Sequence, residues 1–185
     1  MALARRIFCF LKHKIVLVVL ISIVLTVLVL SGANSTLHMT NANEFCTSCH
    51  SMQIVFDEYK ESIHFKNTAG VRALCSDCHV PKPLGPKLLA KVLAAKDVMH
   101  ELLGTIDTEQ KFEAERWKMA NRVWDKMKKT DSRECKVCHS FSAMELDEQD
   151  NIARKKHIGA VDKQQTCIDC HRGIAHEEPI APDES

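Results

Sequence analysis

Eight of the nine cysteines stand in four C-x-x-C pairs, and each pair is followed at once by a histidine. The four motifs are Cys46-Thr-Ser-Cys49-His50, Cys75-Ser-Asp-Cys78-His79, Cys135-Lys-Val-Cys138-His139 and Cys167-Ile-Asp-Cys170-His171. With ten histidines in 185 residues, composition alone does not put one at all four places. C-x-x-C-H reads as covalent haem attachment. The two thiols form thioether links to the porphyrin, and the next residue supplies an axial nitrogen beneath the iron. Zinc would not need a histidine after every second cysteine. Disulfides in an exported chain would leave the histidines unexplained. Four haem c groups are therefore expected, linked at Cys46, Cys49, Cys75, Cys78, Cys135, Cys138, Cys167 and Cys170.

Each iron needs a second axial ligand. Besides the motif histidines the chain carries His13, His38, His64, His100, His157 and His176. His64 lies between the first two motifs and His157 between the last two, in matching places. His176 follows the fourth motif closely. These three are the expected distal ligands, facing irons whose proximal ligands include His79, His139 and His171. His38 and His100 are read as non-ligands, and His13 lies before the apolar segment. Met52, two residues after the first motif, completes the count, since a thioether can bind haem iron and raise its potential. Lys82 holds a place after motif two like that of His176 after motif four; its amine is the weaker alternative.

These residues need elements to position them. Motif starts are spaced alike in the two pairs, which span residues 46–79 and 135–171, so an internal two-fold duplication with two haems per half is expected. Between the halves, Pro86 to Leu103 carries Leu88, Leu89, Val92, Leu93, Met99, Leu102 and Leu103 near the helical period, with Gly104 as a stop. A second helix is expected after Asp107, with Gln110 three residues on as in a capping box. Its apolar set is Phe112, Met119, Ala120, Val123, Trp124 and Met127, read as packing against haem edges or the other helix. No strand pattern is convincing, so the fold class is mainly α. The tail after His176 is acidic and Pro-rich, and is expected to fray. Only 5% of residues are aromatic, too few for a thick side-chain core in so small a domain; haem would supply the rest. A net charge of +1 implies no nucleic acid or other polyanion as partner.

Ile15 to Leu30 is apolar except for Ser22 and Thr26. Extended to Ala33, the stretch would be about 28 Å long as a helix, close to the hydrocarbon thickness of a bilayer. Arg5, Arg6, Lys12 and Lys14 precede it, and no Lys or Arg follows until Lys60. The positive-inside rule puts the N-terminus in the cytoplasm and the haem motifs on the other side. A cleaved signal peptide ending at Ser31-Gly-Ala33 is the rival reading, but the apolar stretch exceeds the usual length. Residues 1–33 are thus read as cytoplasmic stub and single-pass inner-membrane anchor, and residues 34–185 as a periplasmic tetrahaem domain. Cys9 falls on the cytoplasmic side and reads as an inert thiol, acylation being the lesser alternative.

The sequence resembles the NapC/NirT family of quinol dehydrogenases, to which the NrfH proteins also belong. The resemblance runs nearly end to end: one anchor, the four motifs, and the stretches Gly104-Thr-Ile-Asp-Thr108, Lys111-Phe-Glu113, Met119-Ala-Asn-Arg-Val-Trp124 and Thr166-Cys-Ile-Asp-Cys-His-Arg-Gly-Ile-Ala-His176. It is most like the NapC branch, which feeds a periplasmic nitrate reductase. The resemblance implies that Met52 binds the first iron, so that His50 need not, and that the other face of that haem opens on a quinol pocket near the membrane. It also implies a Lys and an Asp at that pocket, and Lys91 and Asp97 fit, with Lys96 adjacent. An Asp can accept a quinol proton, and a Lys can donate a hydrogen bond to a quinone oxygen. Without the resemblance these three are a solvated helix face.

Three classes of function follow. The leading one is an electron-transfer protein that oxidises membrane quinol, menaquinol or ubiquinol, and passes electrons to a periplasmic reductase, with nitrate reductase favoured over nitrite or another reductase. The second is a terminal reductase with an open haem iron, disfavoured because the ligand count nearly saturates the irons. The third is a tether for a partner enzyme. Haem attachment underlies all three. The purified, denatured polypeptide should be red and heavier than its amino acids by four haem groups, as read by mass spectrometry; bare polypeptide mass would refute it.

Overall fold

The computed structural model describes residues 2–182, with side chains from Phe10 onward. Arg5, Arg6 and Cys9 therefore lie outside the described side chains. The described residues hold helices and turns and no strand. The chain divides into two compact units, Met1–Thr40 and Asn41–Ser185.

The first unit is one helix, α1 (Ala2–Met39). Its apolar run makes it long and hydrophobic enough to cross a membrane, from Phe10 to Met39. Inside that run Thr26 and Thr36 return their hydroxyl protons to the carbonyls of Ser22 and Gly32, which hides the donors within the helix. The helix continues six residues past Ala33, through the polar Asn34, Ser35, Thr36 and His38.

The second unit contains α2 (Asn43–Cys46), α3 (Ser51–Lys60), α4 (Cys75–His79), α5 (Leu84–Leu102), α6 (Glu109–Lys129), α7 (Asn151–Asp162) and α8 (Cys167–Cys170), with short 3₁₀ turns at Cys135–Val137, Phe141–Ala143 and Leu146–Glu148. Three of the four motifs touch these elements in a similar manner: α4, α8 and the first 3₁₀ turn each begin on the first cysteine of a motif. The duplication expected from spacing has uneven local form, since His64 falls in a turn after α3 whereas His157 lies inside α7.

α5 forms where its periodicity predicts, with Pro86 in the first turn and Gly104 at φ +69° just past the end. That left-handed backbone favours glycine, and a Cβ there would meet the Asp107 carboxylate at 3.1 Å. None of the apolar residues of α5 is buried. α6 is capped by Thr108 rather than Asp107: Thr108 Oγ1 accepts the Lys111 N–H at 3.3 Å. Asp107 instead pairs with the Lys111 ammonium at 2.7 Å. Two adjacent residues able to cap made the one-residue shift invisible to pattern reading.

Among the described residues the buried apolar side chains are Tyr59, Phe112, Trp124 and Ile168, the thin core that composition implies. α6 packs on α3 and α8. Trp124 meets Trp117 edge-on, and the Arg172 guanidinium lies 4.5 Å from the Trp124 ring centre. Arg116, only 9% exposed, reaches from α6 to the Glu58 carboxylate of α3 at 2.5 and 2.6 Å and also binds Glu113. Burial opposes its charge, but the two carboxylates hold the guanidinium above its ordinary pKa. The same groups tie down the start of the tail. Glu177 N–H donates to Glu58 and its carbonyl accepts from Arg116. The expected fraying therefore does not begin at His176. Removing one partner of a buried pair strands the other charge, so Arg116→Met should destabilise the protein by about 3 kcal/mol. Thermal loss of helical circular dichroism measures it, and an unchanged midpoint would contradict this reading of the pair.

Candidate redox centre

α4 and α8 show how the chain shapes a thiol pair. In both motifs the residue before the second cysteine is an aspartate, Asp77 or Asp169. Asp77 accepts the Leu74 N–H at 2.7 Å, and Asp169 accepts from the Thr166 N–H and hydroxyl at 2.8 and 2.9 Å. Each aspartate thus closes the first turn of its own helix and fixes both cysteines on it. Lys82 is bound to Asp77, and Lys128 to Asp169 at 3.1 Å. Burial opposes the charge of Asp77, yet Lys82 and the Leu74 amide hold its carboxyl below the ordinary range. Lys82 is thus engaged by a carboxylate. The two aspartates were legible in the sequence, as a carboxylate at the third helical position, but were passed over.

Motif three is set by a tight turn after α6. Asp131 and Ser132 both take positive φ, 52° and 47°. Ser132 is fully buried, and its hydroxyl accepts the Ile168 N–H of motif four at 3.1 Å. One side chain thereby joins the third and fourth motifs.

Consecutive motifs are neighbours. The Cys46 and Cys75 thiols lie close enough to act on each other, lowering the pKa of the one and raising that of the other. Cys78 lies near enough to Cys138 for that charge, after burial, to raise its pKa. Burial, then Cys167 and Cys78, hold the Cys135 thiol up at about 11. The motifs run one, two, three, four in space as in sequence. All eight motif cysteines are free thiols, and among the described residues no three or more His, Cys, Asp or Glu side chains converge to hold a metal ion.

Three motif histidines face a second imidazole. His79 and His176 have ring centres 6.2 Å apart, His139 and His64 6.2 Å, and His171 and His157 5.9 Å. A metal-bound imidazole nitrogen lies about 2 Å from its ion and roughly 1 Å from its ring centre, so two rings on one ion have centres about 6 Å apart. The pairs fit an iron between them. Their remaining nitrogens are anchored as a ligand's should be: His176 Nδ1 to the Val55 carbonyl at 3.0 Å, and His157 Nδ1 to Gln149 at 2.6 Å. The His64 Nδ1 is buried without a hydrogen-bond partner. His79 keeps an exposed face, although neighbouring atoms crowd its ring. Burial, then the charge of His176, hold its imidazole down at about 4; burial likewise lowers His176. Both are then neutral near pH 7, the form that binds metals. His100 bonds instead to Thr105 at 3.0 Å.

The first motif differs. Its helix α2 ends on Cys46, and no second imidazole is paired with His50 among the described residues. Met52 is 37% exposed in the first turn of α3. Ser51, between them, is buried and gives its hydroxyl proton to Glu101 of α5 at 2.6 Å, a contact fifty residues apart that the sequence did not suggest. Lys91 approaches the same motif: its charge acts on Cys46, and burial lowers its own pKa. Asp97 points elsewhere, 64% exposed and 3.6 Å from Arg122 of α6. The structure thus brings Lys91, but not Asp97, to the first motif.

A single apolar helix followed by four such motifs and three facing histidine pairs defines a membrane-anchored multihaem c-type cytochrome. Residues 10–181 match the NapC/NirT cytochrome c family, N-terminal region, and the chain belongs to that family of tetrahaem electron-transport proteins. It is 61% identical over 146 residues to a putative tetraheme cytochrome-c type of Allochromatium vinosum, covering 79% of each chain. It is 48% identical to the cytochrome c-type protein NapC of Escherichia coli K12, over 80% of this chain and 74% of that one. The denitrification system component NirT of Stutzerimonas stutzeri is 47% identical, with coverages of 88% and 81%. Among solved structures, a chain of the cytochrome c nitrite reductase NrfHA complex bound to the inhibitor HQNO superposes with a TM-score of 0.54 and 26% identity, covering 90% of this chain and 95% of that one.

The two capping aspartates yield a direct test. Asp77→Ala and Asp169→Ala should each cost about 1 kcal/mol, lowering the thermal midpoint by about 2–4 °C. A scan of haem-region circular dichroism would read it, and no shift in either variant would remove the aspartates from this role.

Proposed function

We propose that this chain binds four haem c groups and carries electrons from membrane quinol to a periplasmic reductase. Its N-terminus lies in the cytoplasm and its motifs in the periplasm, as the placement of Arg5, Arg6, Lys12 and Lys14 supports. The three facing histidine pairs carry the reading. On this reading His79 with His176, His139 with His64 and His171 with His157 would each hold one iron, and Met52 would bind the first. Haem at these motifs supplies one-electron centres in an unbroken row.

The chain's own residues do the rest. The eight motif thiols would hold the groups covalently, and the paired imidazoles would supply the ligands to three of them. That arrangement favours electron transfer over a terminal reductase, which needs an open iron. Lys91, beside the first motif, is placed to donate a hydrogen bond to a quinol oxygen. Asp97 is the proton acceptor that the family resemblance suggests; to serve, it must exchange Arg122 for the quinol hydroxyl. Nitrate reductase is the favoured recipient, because relatives at 44–48% identity are named NapC. NirT at 47% keeps a different reductase as the alternative outcome.

Two outcomes test this. His157→Ala should turn one haem in four high-spin and able to bind carbon monoxide; four unchanged low-spin spectra would remove the pairing. Lys91→Ala should slow haem reduction by a quinol analogue at least tenfold while dithionite still reduces every haem. If quinol-driven reduction is unaltered in Lys91→Ala and Asp97→Asn while partner activity collapses, the chain is a tether.

A further inference from the structure

Two of the three rings that face a motif histidine are placed by their own elements. His157 lies inside α7, and the turn carrying His64 is bound to Tyr59. His176 has no such support, since residues 171–178 lie in no helix or strand. That segment is instead closed on itself and fastened from outside. Gly173 turns the chain at φ +67°, and a Cβ there would meet the Glu178 Cβ at 3.5 Å. α6 then grips the loop in two places. Trp124 receives the Arg172 guanidinium on its ring, and Arg116 donates to the Glu177 carbonyl at 3.1 Å. The two grips stand about 12 Å apart along the helix axis, and in the chain they fall one on each side of His176.

Arg116 reaches the ring through a short relay. It donates to both oxygens of Glu58, and one of these accepts the Glu177 N–H at 3.0 Å. The residue after His176 is thus held at its amide and at its carbonyl by a single ion pair. Val55 and Glu58 are three apart on α3 and so share a face. From that face the Val55 carbonyl meets His176 Nδ1 at 3.0 Å. A carbonyl can only accept, so Nδ1 carries the proton and Nε2 is left bare to bind a metal ion. The ion pair is shielded, with 13% of the Glu58 side chain exposed, and a shielded pair that loses one member leaves a stranded charge. These bonds join α3, α6 and the loop of His176, whereas His64 is held by Tyr59 and His157 by Gln149. Loss of the pair therefore bears on one ring of the three.

We infer that Arg116, acting with Glu58, is a positioning residue for the axial ligand His176, and that breaking the pair uncovers one iron of the four. The inference rests on the reading of His176 as a ligand. The test uses the full haem-loaded chain, reduced with dithionite and mixed with carbon monoxide, which enters a histidine-paired site only when one ring lets go. Uptake by the unaltered protein sets the baseline. His176→Ala should add one fast-binding haem per chain. Arg116→Met should speed uptake at one haem by about tenfold or more, the usual cost of losing a partner behind a metal ligand. Glu58→Gln gives the same readout if Arg116→Met does not fold. Lys118→Met, in an exposed pair of the same helix, should match the baseline. Adding Glu58→Gln to His176→Ala should open no further haem, because the pair acts through that ring. If His176→Ala adds no site for carbon monoxide, His176 is not a ligand and the inference falls with that reading. If His176→Ala opens a site but neither Arg116→Met nor Glu58→Gln hastens uptake, or either opens the other paired haems equally, the ligand stands and the positioning role is overturned.

Discussion

Two imidazole rings held about 6 Å apart, centre to centre, stand at the separation that two rings bound to one metal ion take. That spacing recurs three times in this protein, and most of the second unit is arranged to keep it. The side-chain core is too thin to do so by packing alone, with only Tyr59, Phe112, Trp124 and Ile168 buried among the described apolar residues. Polar groups take over the work. His176 is pinned by a carbonyl of α3 on its ring nitrogen and by Glu58 and Arg116 on the residue after it. His157 is pinned by Gln149. Tyr59, on α3, gives its hydroxyl proton to the backbone at Ala73 and lies within reach of the His64 carbonyl, so the turn carrying that histidine is bound at both ends.

The motifs themselves are rigid for local reasons. An aspartate before the second cysteine closes a one-turn helix in motifs two and four, and a buried serine hydroxyl locks motif three to motif four. Motif one has neither device. It depends on α5, through Ser51 and Glu101.

Much of this was legible in the sequence, and the gaps have physical causes. The four motifs, the apolar anchor, α5 and α6 follow from local spacing and period. Of the three histidines found opposite motif histidines, His64 and His157 stand out by matching places in a repeated spacing, and His176 by following the fourth motif closely. Which ring faces which was not legible: spacing along the chain says nothing about crossings in space, and two of the three pairs join the first half to the second. Arg116 and Glu58 were missed for the same reason. They sit 58 residues apart, and a charged residue in a helix period reads as solvated until its partner is known. The contact of Glu101 with Ser51, fifty residues apart, was likewise hidden, since a charged residue in the α5 period reads as solvated. The α6 cap slipped by one residue because Asp107 and Thr108 are both able to cap.

The crossing of the halves has a consequence for the order in which the protein can fold. His79 is synthesised 97 residues before His176, the ring that faces it. The surroundings of His79 are therefore completed only when the last segment is delivered. A ribosome that stalls a dozen codons short would release a polypeptide with all four cysteine pairs intact and that ring left unfaced.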